Sequence, residues 1–280
     1  MTESGADPSD GNAIYVFAVC GAPARVAVAG LPGVAADAAV RTLPFAELTA
    51  VVQTVRAADF ADEAWQARLS DTRELERYAR AHHHVVTAAA AACPTVPLPL
   101  ATLYHDEERA RLALTGEAGR FRAALARVAE HSEWGVKVYA AERPAAQDAR
   151  RPAAEGSTTQ RPPAVPADNR TRPAPGAGLA YLDRKRGMQA RREQRQEEAL
   201  RMAETVDAEF QKVAAAARRL RPHGPDPADD HGVQVLNATY LVAERRSGEL
   251  ETLTRMLQAT TGARIELSGP WVPYSFVGEV

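Results

Sequence analysis

The chain has 280 residues, of which 45% are hydrophobic and 25% charged, and its formal net charge is −2. That length and apolar content predict two domains of ordinary size, and the balanced charge excludes a whole-chain electrostatic case for nucleic acid or an anionic membrane surface. No stretch approaches the roughly eighteen uninterrupted apolar residues of a spanning helix, and residues 1–12, acidic and polar, lack the basic and apolar regions of a signal peptide. We therefore expect a cytoplasmic protein with a disordered tail over 1–12. Cys20 and Cys93 are the only cysteines. They are too few and too scattered for a disulfide framework or a four-ligand metal site, which fits a reducing compartment.

Ala13–Cys20 is apolar on both alternating faces, as in a central strand covered on both sides. Arg25–Ala29 and Thr49–Val55 read as shorter strands separated by the turn chemistry of Gly30-Leu31-Pro32-Gly33. Helices follow. Trp65 and Leu69 share one face, Asp71 caps a second helix with Glu74 at its third position, and Leu75, Ala79, His82 and Val86 continue a buried stripe toward Pro94. After the Pro-rich loop 97–104, Asp106 caps a helix through Leu114, Gly116 breaks it, and Phe121, Leu125 and Val128 mark another. Together these elements predict an α+β domain over residues 13–131.

The second half, 132–267, begins with Trp134, Val136, Val138 and Ala140 alternating around Lys137 and Tyr139, a strand with one face on a core. Residues 143–178 are rich in proline, alanine and arginine and cannot bury a core, so they read as a disordered insertion. A helical pattern then runs from Leu179 to Arg221. Its second part has a seam of Ala199, Ala203, Val206, Phe210, Val213, Ala217 and Leu220, whereas Asp183–Arg201 carries seven basic and four acidic residues and no apolar stripe. Val233–Ala243 is a strand with Leu236, Ala238, Tyr240 and Val242 on one face. Leu250, Leu253 and Leu257 line a helix closed near Gly262, and Ile265 and Leu267 alternate in a last strand. The order β-α-β-α-β predicts most of a ferredoxin-like, split βαβ sandwich with helices on one face of a mixed sheet.

Residues 268–280 form an aromatic tail. Pro270 and Pro273 bracket Trp271 and precede Tyr274 and Phe276, and such a stiff aromatic segment is suited to lie in a groove of its own protein or of a partner. An ordinary closing turn that fills the last gap in the core is the plain alternative. We take Pro270, Trp271, Pro273, Tyr274 and Phe276, with Tyr240 on the preceding sheet, as the candidate tail-docking or partner-binding set.

Chemistry-bearing clusters are few. Adjacent histidines at 82–84 point about 100° apart on a helix, so no pair has the i, i+4 geometry of a metal site, and one buried with two solvated rings is expected. Asp71, Glu74 and Glu76 are explained by capping and solvation. Asp229, Asp230 and His231 lie in a polar loop with no further ligand nearby, and Gly30-Leu31-Pro32-Gly33 lacks the length and the lysine of a phosphate loop. The basic run Arg184, Lys185, Arg186, Arg191, Arg192, Arg195 and Arg201 is interleaved with Glu193, Glu197 and Glu198 and has no aromatic stacking platform, so a solvated helix is favoured over nucleic-acid binding. No enzyme, cofactor or metal is expected.

Four strings occur in an order that carries a family resemblance: Glu133–Tyr139 (EWGVKVY), Leu179–Leu182 (LAYL), Leu236–Val242 (LNATYLV) and Leu267–Phe276 (LSGPWVPYSF). The chain resembles the GvpL/GvpF family of gas vesicle proteins over about residues 13–278, the insertion excepted. Pro99 and Ala101 stand where that family usually has arginine and glycine. The resemblance implies a non-catalytic accessory protein of gas vesicle formation, vesicle-associated, whose principal partner is the small apolar shell protein, with other accessory proteins as further partners. A ferredoxin-like small-ligand sensor gated by the tail is the alternative from a different class, because a sheet of that type offers an open face.

Overall fold

The computed structural model describes residues 11–21, 28–140, 177–222 and 233–278. Residues 1–10 of the expected tail, all but the last residues of the insertion 143–178, and Asp229, Asp230 and His231 lie outside them, whereas Asn12, expected in the tail, begins the first strand.

The first sheet has the order β2-β3-β1-β4, built from β1 (Asn12–Gly21), β2 (Arg41–Phe45), β3 (Leu48–Arg56) and β4 (Thr95–Pro97), with β5 (Leu103–Tyr104) also paired to β1. All its pairings are antiparallel. The central strand expected at 13–20 is β1, and every residue from Ala13 to Cys20 is buried. Its two faces belong to separate cores. Tyr15, Phe17 and Cys20 pack with Tyr78, Val85, Val86 and Ala89 of helix α2 (Thr72–Ala90), while Ile14, Val16 and Val19 pack with Leu114 of α3 (Glu107–Gly116) and Phe121 and Leu125 of α4 (Ala118–Val128). A sheet sandwiched this way needs an apolar run in its middle strand, which is why β1 does not alternate.

The structure differs from expectation at three places in this half. Of the strand expected at Arg25–Ala29, residues 25–27 lie outside the described residues and Val28–Gly30 forms a turn. The strands missing from the reading are β2, β4 and β5, of which β2 is an edge strand that tolerates Pro44 because a proline has no N–H to give the ladder. It joins β3 through Ala46 and Glu47, both at positive φ (37° and 64°), as a two-residue hairpin requires, although neither residue advertises it. Third, the buried stripe of α2 is Tyr78, His82, Val85, Val86 and Ala89, with Ala79 exposed. The start of α2 is as expected, since Asp71 accepts from the N–H groups of Arg73 and Glu74. Glu74 itself turns to Arg77. A short helix α1 (Asp62–Ser70) precedes it, and Asp106 caps α3.

The second sheet has the order β7-β8-β6-β9, formed by β6 (His131–Ala140), β7 (Ala216–Arg219), β8 (Val233–Ala243) and β9 (Arg264–Trp271), again all antiparallel where a mixed sheet was expected. Helices α5 (Ala177–Val213) and α6 (Ser247–Thr261) pack on one face, where Trp134, Val136, Val138, Leu236, Ala238, Tyr240 and Val242 meet Ala203, Val206, Phe210, Leu250 and Leu257. The helix expected to reach Arg221 stops at Val213. Ala214–Ala217 are strong helix formers, yet the open edge of β8 offers a ladder and Arg219 a carboxylate to reach, and these tertiary terms override propensity. Ala217 and Leu220 are thus not part of the helical seam. The opposite half of α5 is solvated, with Lys185, Met188, Arg192 and Arg195 exposed and Gln189–Glu193, Gln194–Glu198 and Arg201–Glu197 contacts at i, i+4 spacing.

Candidate partner-binding site

β9 pairs with β6 from Tyr139↔Arg264 to Glu133↔Trp271, with an irregularity between Glu133 and Gly135 where Gly269 and Pro270 pass. Gly269 has φ +136°, and a Cβ there would lie 2.9 Å from the Glu133 carbonyl oxygen and 3.0 Å from the Trp134 ring, so only glycine fits. From that point the chain crosses to the first sheet. Val272 is buried in the core on the α2 face, Val277 packs against the core on the α3 and α4 face, and Phe276 is buried within the short 3₁₀ turn Tyr274–Phe276.

Polar anchors flank this turn. The Ser275 N–H and hydroxyl both donate to the buried carboxylate of Glu133, at 2.8 and 2.6 Å, and Arg218 Nη1 of β7 donates to the Ser275 carbonyl at 3.3 Å. Glu133 is on the face of β6 turned away from α5 and α6, where Thr239 and Leu241 of β8 are also buried. Two aromatics of the segment remain at the surface, Trp271 at 50% and Tyr274 at 39% exposure. Both lean on His83 of α2, with ring centroids 6.3 and 6.1 Å away. Partial burial raises the Tyr274 phenol to about 12.

Of the six residues singled out in sequence, the structure brings five together, Pro270, Trp271, Pro273, Tyr274 and Phe276, and separates Tyr240. That residue has no exposed surface: its ring packs on Phe210 and its hydroxyl donates to Asp207. Asp207 is itself buried on α5 and accepts from Arg219 and Gln211 as well, so Tyr240 belongs to a network that fastens β7 and β8 to the helix. Sequence reasoning missed Glu133, Ser275, Arg218 and His83. A faint signal existed for the first, a carboxylate at the start of an otherwise apolar strand.

The histidines divide by environment. His82 is buried, its Nδ1 2.9 Å from the Tyr15 hydroxyl, and burial pulls its pKa down to about 4; His83 faces the aromatic pair; His84 is exposed. The Tyr15 hydroxyl also accepts from the Ala101 N–H, and Ala101 has φ 63°, the left-handed region that suits the glycine its relatives were expected to carry there. Among the described residues, no group of three or more His, Cys, Asp or Glu is placed to hold a metal ion, and no helix is long and apolar enough to cross a membrane. A surface hollow of about 430 Å³ beside Pro270 is walled by Trp134, Thr254, Leu267, Glu251 and Arg255.

A fold of two antiparallel sheets with helices is shared with solved gas vesicle proteins. The structure superposes on crystal structures of the gas vesicle protein GvpF from Anabaena sp. PCC7120 (TM-score 0.60, 15% identity, 96% of this chain and 97% of that one) and from Microcystis aeruginosa (TM-score 0.62, 14% identity, 95% and 99%). Residues 13–278 match the family described as gas vesicle synthesis protein GvpL/GvpF, and the chain is 34% identical over 224 residues to gas vesicle protein L of Streptomyces sp. (strain CB03234), covering 80% of this chain and 77% of that protein. The chain belongs to the GvpL/GvpF family.

Proposed function

We propose that this protein is a non-catalytic accessory factor of gas vesicle assembly that works in the cytoplasm and at the vesicle, and that it holds the small, apolar shell protein, with other accessory proteins as further partners. The observation that carries this reading is the pair Trp271 and Tyr274. They are large rings left half in water on a segment whose neighbours are buried, beside the seam between the two sheets. Rigid aromatics on an anchored backbone offer contact area with little entropy left to lose, which is what a partner prone to self-association needs from a carrier. Pro270 and Pro273 stiffen the segment, and Phe276 anchors it.

We read the two halves as two domains, 13–131 and 132–267, with 268–280 as a docking tail. The order β6-α5-β7-β8-α6-β9 with sheet order β7-β8-β6-β9 supports a ferredoxin-like second domain. The sensor alternative needs an unoccupied sheet face. Glu133, Thr239 and Leu241, on the face away from the helices, are buried, which leaves that reading without its space.

The experiment is capture of the tagged shell protein by wild type and by the double variant Trp271→Ala, Tyr274→Ala. We expect at least a tenfold loss of capture at unchanged circular dichroism. Equal capture by both would remove the aromatic pair from the interface. Pull-down against the whole gas vesicle gene set then tells whether the shell protein or another accessory protein is the principal partner.

A further inference from the structure

The only two cysteines of the chain, 73 positions apart, meet in the fold. Cys20 is buried near the end of β1, directly across from Thr95 of β4 in the antiparallel register, and Cys93 is partly exposed in the turn between α2 and β4. The Thr95 hydroxyl lies 3.4 Å from Cys20 Sγ and 3.9 Å from Cys93 Sγ, and it donates to the Cys93 carbonyl at 2.9 Å. Both sulfurs thus converge on one hydroxyl, Cys20 from β1 and Cys93 from the turn that leads into β4. Neither belongs to the aromatic surface described above.

Their environments are unequal. The neighbouring Cys20 thiol holds the Cys93 thiol below the ordinary cysteine range, while the nearness of Cys93 and burial push Cys20 up. An accessible thiol with thiolate character next to a buried partner is the arrangement of an attacking and a resolving cysteine.

We propose that Cys20 and Cys93 are a redox modification site that closes to an intramolecular disulfide under a hydroperoxide. The Cys93 thiolate attacks one peroxide oxygen, the O–O bond breaks, and the departing oxygen leaves with the electron pair as water after taking a proton from solvent. Cys93 is then a sulfenic acid. The Cys20 sulfur attacks Cys93 Sγ, the S–S bond forms, and the hydroxyl departs as water with the Cys20 proton. In sum two thiols lose two electrons and hydrogen peroxide becomes two waters. The bond ties β1 to the end of α2, the helix that carries His83 beneath Trp271 and Tyr274. It also closes a long loop, which constrains the unfolded chain far more than the folded one.

The test uses the full chain, treated with hydrogen peroxide at a few equivalents, denatured, and alkylated to count thiols. We expect both thiols to vanish together in a monomer whose mass is lower by two hydrogens, full recovery with dithiothreitol, and a melting temperature several degrees above that of the reduced protein. Cys20→Ser should stop at a Cys93 sulfenic acid trapped by dimedone, and Cys93→Ser should leave Cys20 unreacted for at least ten times longer. Thr95→Val should slow closure without changing the thiol count of untreated protein. Two alkylatable thiols after treatment, loss of thiol only in dimers, or equal reactivity of the two cysteines in the single variants would each overturn the proposal.

Discussion

Glu133 and Ser275 stand 142 positions apart and are joined twice, the serine giving both its backbone N–H and its hydroxyl to one buried carboxylate. A buried carboxylate is tolerated only when its lone pairs are used, so the sequence of β6 and the sequence of the final turn must agree. The consequence is positional: with Ser275 fixed, Phe276 is placed inside and Trp271 and Tyr274 are placed at the rim.

Ser275→Ala removes one of the two bonds and leaves the carboxylate half satisfied. We expect a loss of about 1.5–3 kcal/mol in urea unfolding, the range for a hydrogen bond to a charged group. Glu133→Ala should be at least as severe, and an unchanged midpoint in both would mean that the segment is held by its apolar contacts alone.

Trp271 separates binding from stability. Since half of its surface is already in water, Trp271→Ala should lower stability by no more than about 1.5 kcal/mol, well below the roughly 3–5 kcal/mol of a fully buried ring. Deleting 269–280 should do much more, because it uncovers Glu133 and the apolar surfaces now under Val272 and Phe276. Light scattering on heating would then rise at a lower temperature for the truncation and not for the point variant.

His82 sets a pH dependence. The unfolded ring takes a proton below about 6.5, whereas the buried ring stays neutral until about 4. Between those values the unfolded state binds more protons, so stability is complete above pH 6.5 and falls as the pH drops toward 4, by about 3 kcal/mol in all. His82→Gln keeps a partner for the Tyr15 hydroxyl and should flatten that slope, which melting curves across the interval would measure.

Asp207, on α5 beneath the second sheet, should be the least replaceable polar residue of that half. Asp207→Ala leaves the buried Tyr240 hydroxyl without its acceptor and frees Arg219 from the edge strand. The expected loss is about 2–4 kcal/mol in denaturant unfolding, with Tyr240→Phe in the same background adding little, because the two changes break one contact.

Much of this architecture is legible in the residues. The unbroken apolar run of β1 announces a strand covered twice, the alternation of Trp134, Val136 and Val138 announces the inward face of β6, and Asp71 and Asp106 announce helix starts. What escapes reading is structure whose cause lies elsewhere in the chain. Ala216–Arg219 is a strand because β8 has an edge to pair and Asp207 a carboxylate within reach of Arg219, and β2 is a strand because β3 lies beside it. The site follows the same division: the proline-framed aromatics stand out locally, whereas Glu133 and His83 acquire meaning only when the fold brings the end of the chain to them. Tyr240 shows the converse, a residue on the right strand whose side chain faces the other way.

Helix α5 is one secondary-structure element but two thermodynamic ones. Its 37 residues extend about 55 Å; Ala203, Val206 and Phe210 are built into the core, while the stretch around Lys185–Glu198 touches mainly water and its own turns. Amide hydrogens near Phe210 should therefore exchange only with global opening, and those near Arg192 by local fraying many orders of magnitude sooner. The boundary of the cooperative unit falls inside a single helix. The solvated half is free to melt, or to be stiffened from outside, without a change in the sheet that its other half holds together.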